Sequence, residues 1–441
     1  MDTIFAVASG LQRAGVSVIR VSGPAALLTY KELSGRPVPP PRMAVFGSFR
    51  VPETEKMLDR GMAIYFEKPS SFTGEDVVEY HLHGGVAVVR GFLTELAKLP
   101  GCRLAEPGEF TRRAFEHDKI DLTAAEAVAD LINAETEAQR VQALDQLGGG
   151  LARLYQDWAE RLQKVLAHQE ADIEFPEEDM PARISDKLKP EIRILIKEIR
   201  AHLDDKRRGE RLRNGVMIAI LGAPNAGKSS LLNALARRDV AIVSEEAGTT
   251  RDIIEAHLDL GGYPVILADT AGLRLTEGRV EAEGIRRAHK LAGNADIKII
   301  LFDSALPTPD AETLKVVDDN SIVVLTKSDC IPQTPEKTVA GKKALWVSST
   351  TGAGLEALLK ALTEKVAALF ETRDGPSLTR ERHRRALEEV EEALKRCLDA
   401  DLPELAAEDL RLALRSLGAV TGRVHVETLL DTIFKDFCIG K

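Results

Sequence analysis

Three observations predict a multidomain α/β protein, with a doubly wound domain inserted into an all-α helical domain and preceded by an α+β domain. Strand-like and helix-like stretches alternate from residue 214 to 374. Runs rich in Ala, Glu, Gln and Leu with helical spacing flank that region, at 119–213 and 375–441. Residues 1–118 hold more strand-like than helical runs, divided by turn residues. Length agrees: 441 residues at roughly 150 per domain give about three domains.

Composition is that of a globular protein, 44% hydrophobic and 29% charged. A net charge of −10 argues against broad, non-specific nucleic-acid binding. No apolar run approaches the roughly 20 residues that span a bilayer, so no membrane association is expected. The start, Met1-Asp2-Thr3-Ile4, has no basic segment, and no secretory leader is expected. Cys102, Cys330, Cys397 and Cys438 are scattered without a C-x-x-C pair or zinc spacing, which points to a reducing, cytoplasmic setting.

In the first domain, 16–21, 44–49, 61–66 and 77–83 alternate as half-buried strands do, and 86–98 reads as a helix. His81 and His83 fall on one strand face. With no supporting Cys or carboxylate motif, a hydrogen-bonding role is favoured over a metal pair. Residues 122–147 read as one long helix, ended by Gly148-Gly149-Gly150; 151–170 and 184–203 are two more. Two basic clusters, Arg207, Arg208, Arg211 and Arg213 with Arg380, Arg382, Arg384 and Arg385, read as solvated helix faces.

From residue 214 the expected strands are 216–221, 264–269, 297–302, 322–326 and 345–347, the signature of a largely parallel sheet. After the first comes Gly222-Ala223-Pro224-Asn225-Ala226-Gly227-Lys228-Ser229, which fits G-x-x-x-x-G-K-[ST] at every fixed position and leads into the helical run from Ser230. Glycines let backbone N–H groups wrap a phosphate, and the helix N-terminus adds positive potential. Lys228 supplies a point charge, and the Ser229 hydroxyl is a ligand for Mg2+.

The later elements stand in the order of a Ras-like, guanine-nucleotide-binding P-loop domain. Gly248-Thr249-Thr250-Arg251-Asp252 suits a switch loop closing over Mg2+ and the γ-phosphate. Asp269-Thr270-Ala271-Gly272 ends a strand, as a magnesium and γ-phosphate sensor does. Thr326-Lys327-Ser328-Asp329 stands where such domains read the base; Asp329 keeps the discriminating carboxylate, while Thr326 replaces the usual Asn. Ser348 and Ser349 fit the last base-contacting loop. Leu273 stands where Ras-like proteins place a water-orienting Gln. Glu277, Glu281 and Glu283 are candidates to take over, with Arg251 and Arg274 as cationic helpers, and spacing alone does not choose among them.

The whole chain resembles the MnmE (TrmE) family of tRNA modification GTPases. The likeness is carried by Asp2-Thr3-Ile4, 18–24, Ser71-Phe72-Thr73-Gly74-Glu75-Asp76, His83-Gly84-Gly85, the stretch from Pro107 to Phe115, and the closing Cys438-Ile439-Gly440-Lys441. The resemblance implies four segments: an N-terminal tetrahydrofolate-binding and dimerisation domain (1–118), a helical domain in two halves (119–213 and 375–441), and an inserted GTPase domain (214–374). It implies a homodimer in the cytoplasm that partners the flavoprotein MnmG in a heterotetramer. Together they would modify C5 of the wobble uridine, position 34, of certain tRNAs to a carboxymethylaminomethyl- or aminomethyluridine. A 5-formyl- or 5,10-methylene-tetrahydrofolate would supply the one-carbon unit. Arg20, Glu79, Lys119 and Lys441 match the family's folate-contacting positions.

Around the nucleotide the resemblance implies GTP with Mg2+ on Ser229 and Thr250. It implies K+ on Asn225, helped by the loop of Ser244, Glu245, Glu246, Ala247, Gly248 and Thr249, with Ser244, Glu246 and Thr249 as further K+ ligands. Ala226, Gly227, Lys228 and Ser230 would line the phosphates. Glu281 matches the water-positioning glutamate, Arg251 and Arg274 are auxiliary, and Cys438 is either a nucleophile or a tail anchor. The competing class is an RNA- or ribosome-associated switch GTPase without modification chemistry. The N-terminal domain and the Cys438–Lys441 tail discriminate against it.

Overall fold

The computed structural model describes residues 2–10, 13–174, 188–238, 254–269, 293–306, 308–331, 336–370, 375–424, 430, 433, 434, 437 and 440, with the backbone alone at 172, 254 and 269. The chain forms two compact units. One comprises Met1–Ala129, Leu147–Ser185 and Asp399–Lys441; the other comprises Asp130–Gln146 and Asp186–Leu398. Helical residues on both sides of the GTPase-like region are thus divided between the two units. No helix among the described residues is long and apolar enough to cross a membrane.

The first unit opens with β1 (Thr3–Val7), β2 (Ala14–Ser22), α1 (Ala26–Ser34), β3 (Val45–Arg50), β4 (Met57–Phe66), β5 (Val77–Gly84), α2 (Val86–Leu96), β6 (Cys102–Leu104) and α3 (Glu109–Glu116). The sheet runs β3-β4-β5-β2-β1-β6. Its pairs are antiparallel except β1 with β6. Strand alternation sends Phe5, Ile19, Val21, Tyr80 and Leu82 into one core with Tyr30 and Leu33 of α1 and Phe92 and Leu96 of α2. Edge-to-face packing of Phe49 on Tyr80 and on Phe92, with centroids 5.3 and 5.7 Å apart, fixes their orientation. The opposite face carries Arg20, Glu79 and His81.

The helical residues form α4 (Leu122–Ile132), α5 (Glu137–Leu147), α6 (Gly150–Glu174), α7 (Lys189–Leu203) and α8 (Arg208–Asn214). The single helix expected over 122–147 is broken at 133–136. The cause is a capping box: Thr136 N donates to Gln139 Oε1 at 3.1 Å, and Gln139 N donates back to Thr136 Oγ1 at 3.4 Å. Of the helix expected over 184–203, residues 184–187 lie outside the described residues.

The second unit continues with β7 (Val216–Gly222), α9 (Lys228–Ala236), β8 (Ile254–Leu260), β9 (Tyr263–Asp269), β10 (Ile297–Asp303), α10 (Ala311–Leu314), β11 (Ser321–Thr326), β12 (Thr338–Val339), β13 (Lys342–Lys343), β14 (Leu345–Trp346), α11 (Leu355–Leu369) and α12 (Glu381–Asp399). Helix α13 (Pro403–Thr421) returns the chain to the first unit. The second sheet runs β14-β11-β10-β7-β9-β8. All its pairs are parallel except β8 with β9. Ile218, Ile220, Ile299, Leu301 and Val324 pack on α9 and α11; Ala219, Leu221, Ile300, Phe302 and Val323 fill the other face. Burial on both faces explains why these strands read as continuous apolar runs. The edge strand β8 was not anticipated, although Glu255, His257 and Asp259 alternate with Ala256, Leu258 and Leu260 in the period of a half-buried strand.

The two arginine clusters meet within the second unit; Arg207 and Arg385 stay exposed as expected, but others are drawn into internal ion pairs. Arg384 is buried, with Nε donating to Glu210 at 2.8 Å and Nη2 to Asp205 at 2.6 Å. Asp130 Oδ1 accepts from both Arg213 and Arg380 at 2.8 Å, and Arg211 pairs with Asp296 at 2.6 Å. Carboxylates distant in sequence neutralise them, because buried charge without partners is costly.

In the first unit, the last described residues fold back onto the N-terminal sheet and α4. Phe434 and Phe437 pack with Leu122 and Ala125. Gly440 has φ +104, and a Cβ there would lie 1.9 Å from the Val7 carbonyl oxygen, so glycine is required for this approach.

In the second unit, burial pushes His202 down to about 4 from an ordinary value of 6.5; Asp205 opposes the shift, and His383 and Arg384 add to it. The folded value lies below the unfolded one. Stability is therefore complete above pH 6.5 and falls as pH drops from 6.5 to 4, by on the order of 3 kcal/mol. Urea unfolding at pH 7.5 and 5.0 checks this. The His202→Gln variant should lose stability less steeply than the unsubstituted chain, and equal slopes would contradict the assignment.

Candidate functional site

The C-terminal ends of β7, β9, β10 and β11 lie in register along one edge of the second sheet: Leu301 faces Gly222, Ile220 faces Asp269, and Asp303 faces Thr326. This is where an open parallel sheet binds its ligand. The loop from Gly222 enters α9 through Asn225 at φ +63 and Gly227 at φ +94. A Cβ on Gly222 would lie 2.7 Å from the Leu301 carbonyl oxygen, so the loop hugs the neighbouring strand. Lys228 Nζ donates to the carbonyls of Gly222 and Ala223 at 2.8 and 2.9 Å. Its ammonium therefore sits over the loop mouth, where it can meet phosphate oxygens. Ser229 and Ser230 occupy the first turn of α9, whose amides point the same way.

Thr326 does a job that its position in the motif did not disclose. Its buried hydroxyl donates to the Ala226 carbonyl at 2.8 Å, with Phe302 O at 3.3 Å as a second acceptor. The segment expected to read the base is thereby tied to the Gly222–Ser229 loop. Lys327, at φ +60, pairs with Asp303 at 2.5 Å. Burial, the largest single influence, pushes the Asp303 carboxyl up, but the Lys327 hydrogen bond, the Ala305 amide and the Lys327 charge together hold the group below the usual carboxylate range. Asp329 is exposed, and a hydrogen bond from buried Ser348 holds its carboxyl below the usual range. Ser348 Oγ also accepts from Thr351 N at 3.1 Å. An ionised carboxylate fixed at this edge can accept from a paired N–H edge such as that of guanine. Ser349 lies beside it, half-buried.

Asn225, Ala226, Gly227, Lys228, Ser229, Ser230, Thr326, Lys327, Asp329, Ser348 and Ser349 thus gather at one end of the sheet, as does the backbone of Asp269. Ser244, Glu245, Glu246, Ala247, Gly248, Thr249, Thr250, Arg251, Thr270, Ala271, Gly272, Leu273, Arg274, Glu277, Glu281, Glu283, Cys438 and Lys441 lie outside the described residues.

On the open face of the first sheet, Arg20 Nε and Nη2 each lie 2.9 Å from Glu79 Oε1. The guanidinium lies 5.3 Å from the Phe72 ring centroid and 5.7 Å from that of Phe110, two aromatic neighbours that sequence reading missed. Lys119 Nζ donates to the Pro69 carbonyl at 2.8 Å. His83 Nδ1 is 2.8 Å from Asp59 Oδ1, in the hydrogen-bonding role expected. Among the described residues no group of three or more His, Cys, Asp or Glu could hold a metal ion.

The motif residues around this face form a buried charge cluster. Arg113 Nη1 donates to Glu75 at 3.1 Å, and Nη2 donates to Asp2 at 2.9 Å and to Glu109 at 3.1 Å. Ser22 Oγ donates to Glu75 at 2.6 Å. These contacts fasten the N-terminus, the 71–76 loop and α3 together. Cys102, Cys330 and Cys397 are not in disulfides.

Replacing Thr326 by Val leaves the Ala226 carbonyl buried without its donor, a loss on the order of 1–3 kcal/mol. Isothermal titration of Thr326→Val with GDP and with GTP should show both affinities lowered about tenfold or more. Thr326→Ser should stay near the parent, and an unchanged Thr326→Val would remove the hydroxyl from this role.

The family model described as GTP-binding protein TrmE N-terminus matches residues 3–119, and the MnmE helical domain model matches residues 122–438. The tRNA modification GTPase MnmE of Parvibaculum lavamentivorans is 52% identical over 448 residues, covering 100% of both chains. That of Paramagnetospirillum magneticum is 52% identical over 442 residues, again covering 100% of both. Among solved structures, the G domain of the T. maritima FeoB iron transporter is 28% identical, with a TM-score of 0.27, covering 34% of this chain and 98% of that one. Matched by both family models and 52% identical to full-length relatives, this chain belongs to the MnmE (TrmE) family of tRNA modification GTPases.

Proposed function

We propose that this chain hydrolyses GTP and couples the turnover to modification of the wobble uridine of tRNA. The observation that carries the nucleotide half is the Asp329 carboxylate, set by Ser348 beside a phosphate loop that Thr326 ties to the same strand end. Lys228 would neutralise phosphate charge, and the Ser229 hydroxyl would serve Mg2+ with Thr250. When bound, Mg2+ would supply neutralisation of phosphate charge.

Asn225 holds a left-handed backbone conformation at the loop crest. We read its side chain as a K+ ligand, together with Ser244, Glu246 and Thr249. A monovalent cation there stabilises charge as an arginine finger does. Glu281 would orient the attacking water in place of the glutamine that Leu273 replaces, with Arg251 and Arg274 auxiliary. Two GTPase domains of a homodimer would face each other across this site.

The first unit fits a tetrahydrofolate derivative in the chemistry of its donors. Glu79 suits the N–H edge of a pterin, and Arg20, Lys119 and Lys441 suit the carboxylates of the glutamate tail. Cys438, in the closing tail, would act as nucleophile or anchor. MnmG would be the partner in a heterotetramer that acts on C5 of uridine 34, with the one-carbon unit drawn from the folate. The four segments 1–118, 119–213, 214–374 and 375–441 remain our functional division.

GTP hydrolysis assayed with Mg2+ in potassium chloride should exceed that in sodium chloride by about tenfold or more, the scale of one oriented charge in a transition state. Equal rates in the two salts would overturn the K+ role of Asn225.

A further inference from the structure

Pairing of β2 with β5 sets Arg20 opposite Glu79 and Val18 opposite His81 on the open face of the first sheet; β4 places Met62 on the other side of His81. Both Arg20 nitrogens are directed at Glu79 Oε1, which leaves Oε2 outside that pair. His81 Nε2 lies 3.8 Å from Oε2, beyond hydrogen-bond reach. That ring nitrogen is shielded from solvent and has no hydrogen-bond partner. Its cross-strand neighbours, Val18 and Met62, have no strong polar group to offer. His83, two residues along the same face, is satisfied by Asp59. A shielded polar atom without a partner is costly, and one bordering an open face calls for a ligand that completes it.

We infer that His81 is a further ligand-contacting residue of the Arg20–Glu79 site. Its Nε2–H and the Glu79 Oε2 together would take the edge of a planar heteroaromatic ring that carries N–H donors beside a carbonyl. Glu79 accepts from the ring N–H groups, and His81 donates to the carbonyl oxygen. Phe72, 38% exposed and already against the Arg20 guanidinium, offers such a ring a flat apolar wall. The pterin of a folate has this edge, so the assignment rests on the folate reading above and adds to it the residue that recognises the ring carbonyl.

Titration of the full-length chain with 5-formyltetrahydrofolate tests it. His81→Leu should bind about tenfold more weakly than the parent, the loss of one buried hydrogen bond. His81→Gln keeps a side-chain N–H donor and should bind within about threefold of the parent, a rescue that a purely structural role would not give. If His81→Leu does not fold, His81→Met makes the same comparison. Unchanged affinity in the Leu or Met variant, or a Gln variant as weak as Leu, overturns the assignment while leaving the folate reading intact. A parent chain that does not bind the probe overturns the folate reading itself, and the His81 assignment with it.

Discussion

Burying a parallel sheet on both faces leaves its strand ends as the place where polar chemistry can sit. In the second unit, apolar clusters cover both sides of β7, β10 and β11. The groups that do chemistry therefore collect where those strands stop. Gly222, Asp269, Asp303 and Thr326 end neighbouring strands in register. Beyond their ends the backbone is free to take the left-handed conformations seen at Asn225, Gly227 and Lys327. The site depends on one further constraint. Thr326 Oγ1 spends its single donor proton on the carbonyl of Ala226, so the strand that leads to the base-reading carboxylate also holds the phosphate loop. The segments proposed to bind phosphate and base are joined by a buried hydrogen bond between residues 100 positions apart.

Charge is managed by the same logic in both units. Arg113 in the first and Arg384 in the second are buried, and each is met by two or more carboxylates. A buried guanidinium is tolerated only with such company. The clusters act as rivets. One pins the N-terminus to α3 and to the loop at 71–76, and the other pins α12 to the segment around α8. Richness in arginine at 207–213 and 380–385 accordingly reflects in large part internal pairing, with Arg207 and Arg385 left exposed. That fits a chain whose net charge is −10.

Much of this architecture was legible in the sequence, because strand and helix periods are local. The phosphate loop, the five expected strands of its sheet and the four of the first sheet all lie where alternation or apolar runs put them. The break in the helix over 122–147 was missed, although Thr136 and Gln139 carry the capping spacing, since helical periodicity on both sides masked it. Strand β8 was missed because its charged residues resemble a loop until their period of two is counted. The partners of Arg213 and Arg384 lie 83 and 174 residues away, and no local pattern reports such separations. For the same reason the motif showed Thr326 only as a departure from the usual Asn, whereas the fold gives that hydroxyl a structural task. The isolation of His81 Nε2 is a property of packing, and composition carries no trace of it.

Family membership makes this chain a tRNA modification GTPase, and we propose that its base selectivity rests on Asp329. The most direct measurement is the hydrolysis of GTP and XTP by the parent chain and by Asp329→Asn. An aspartate accepts from the guanine N–H edge, whereas an asparagine amide can donate to the 2-oxo group of xanthine. The account predicts that the parent prefers GTP and that the variant loses this preference and turns over XTP. A variant that still prefers GTP as the parent does would contradict it.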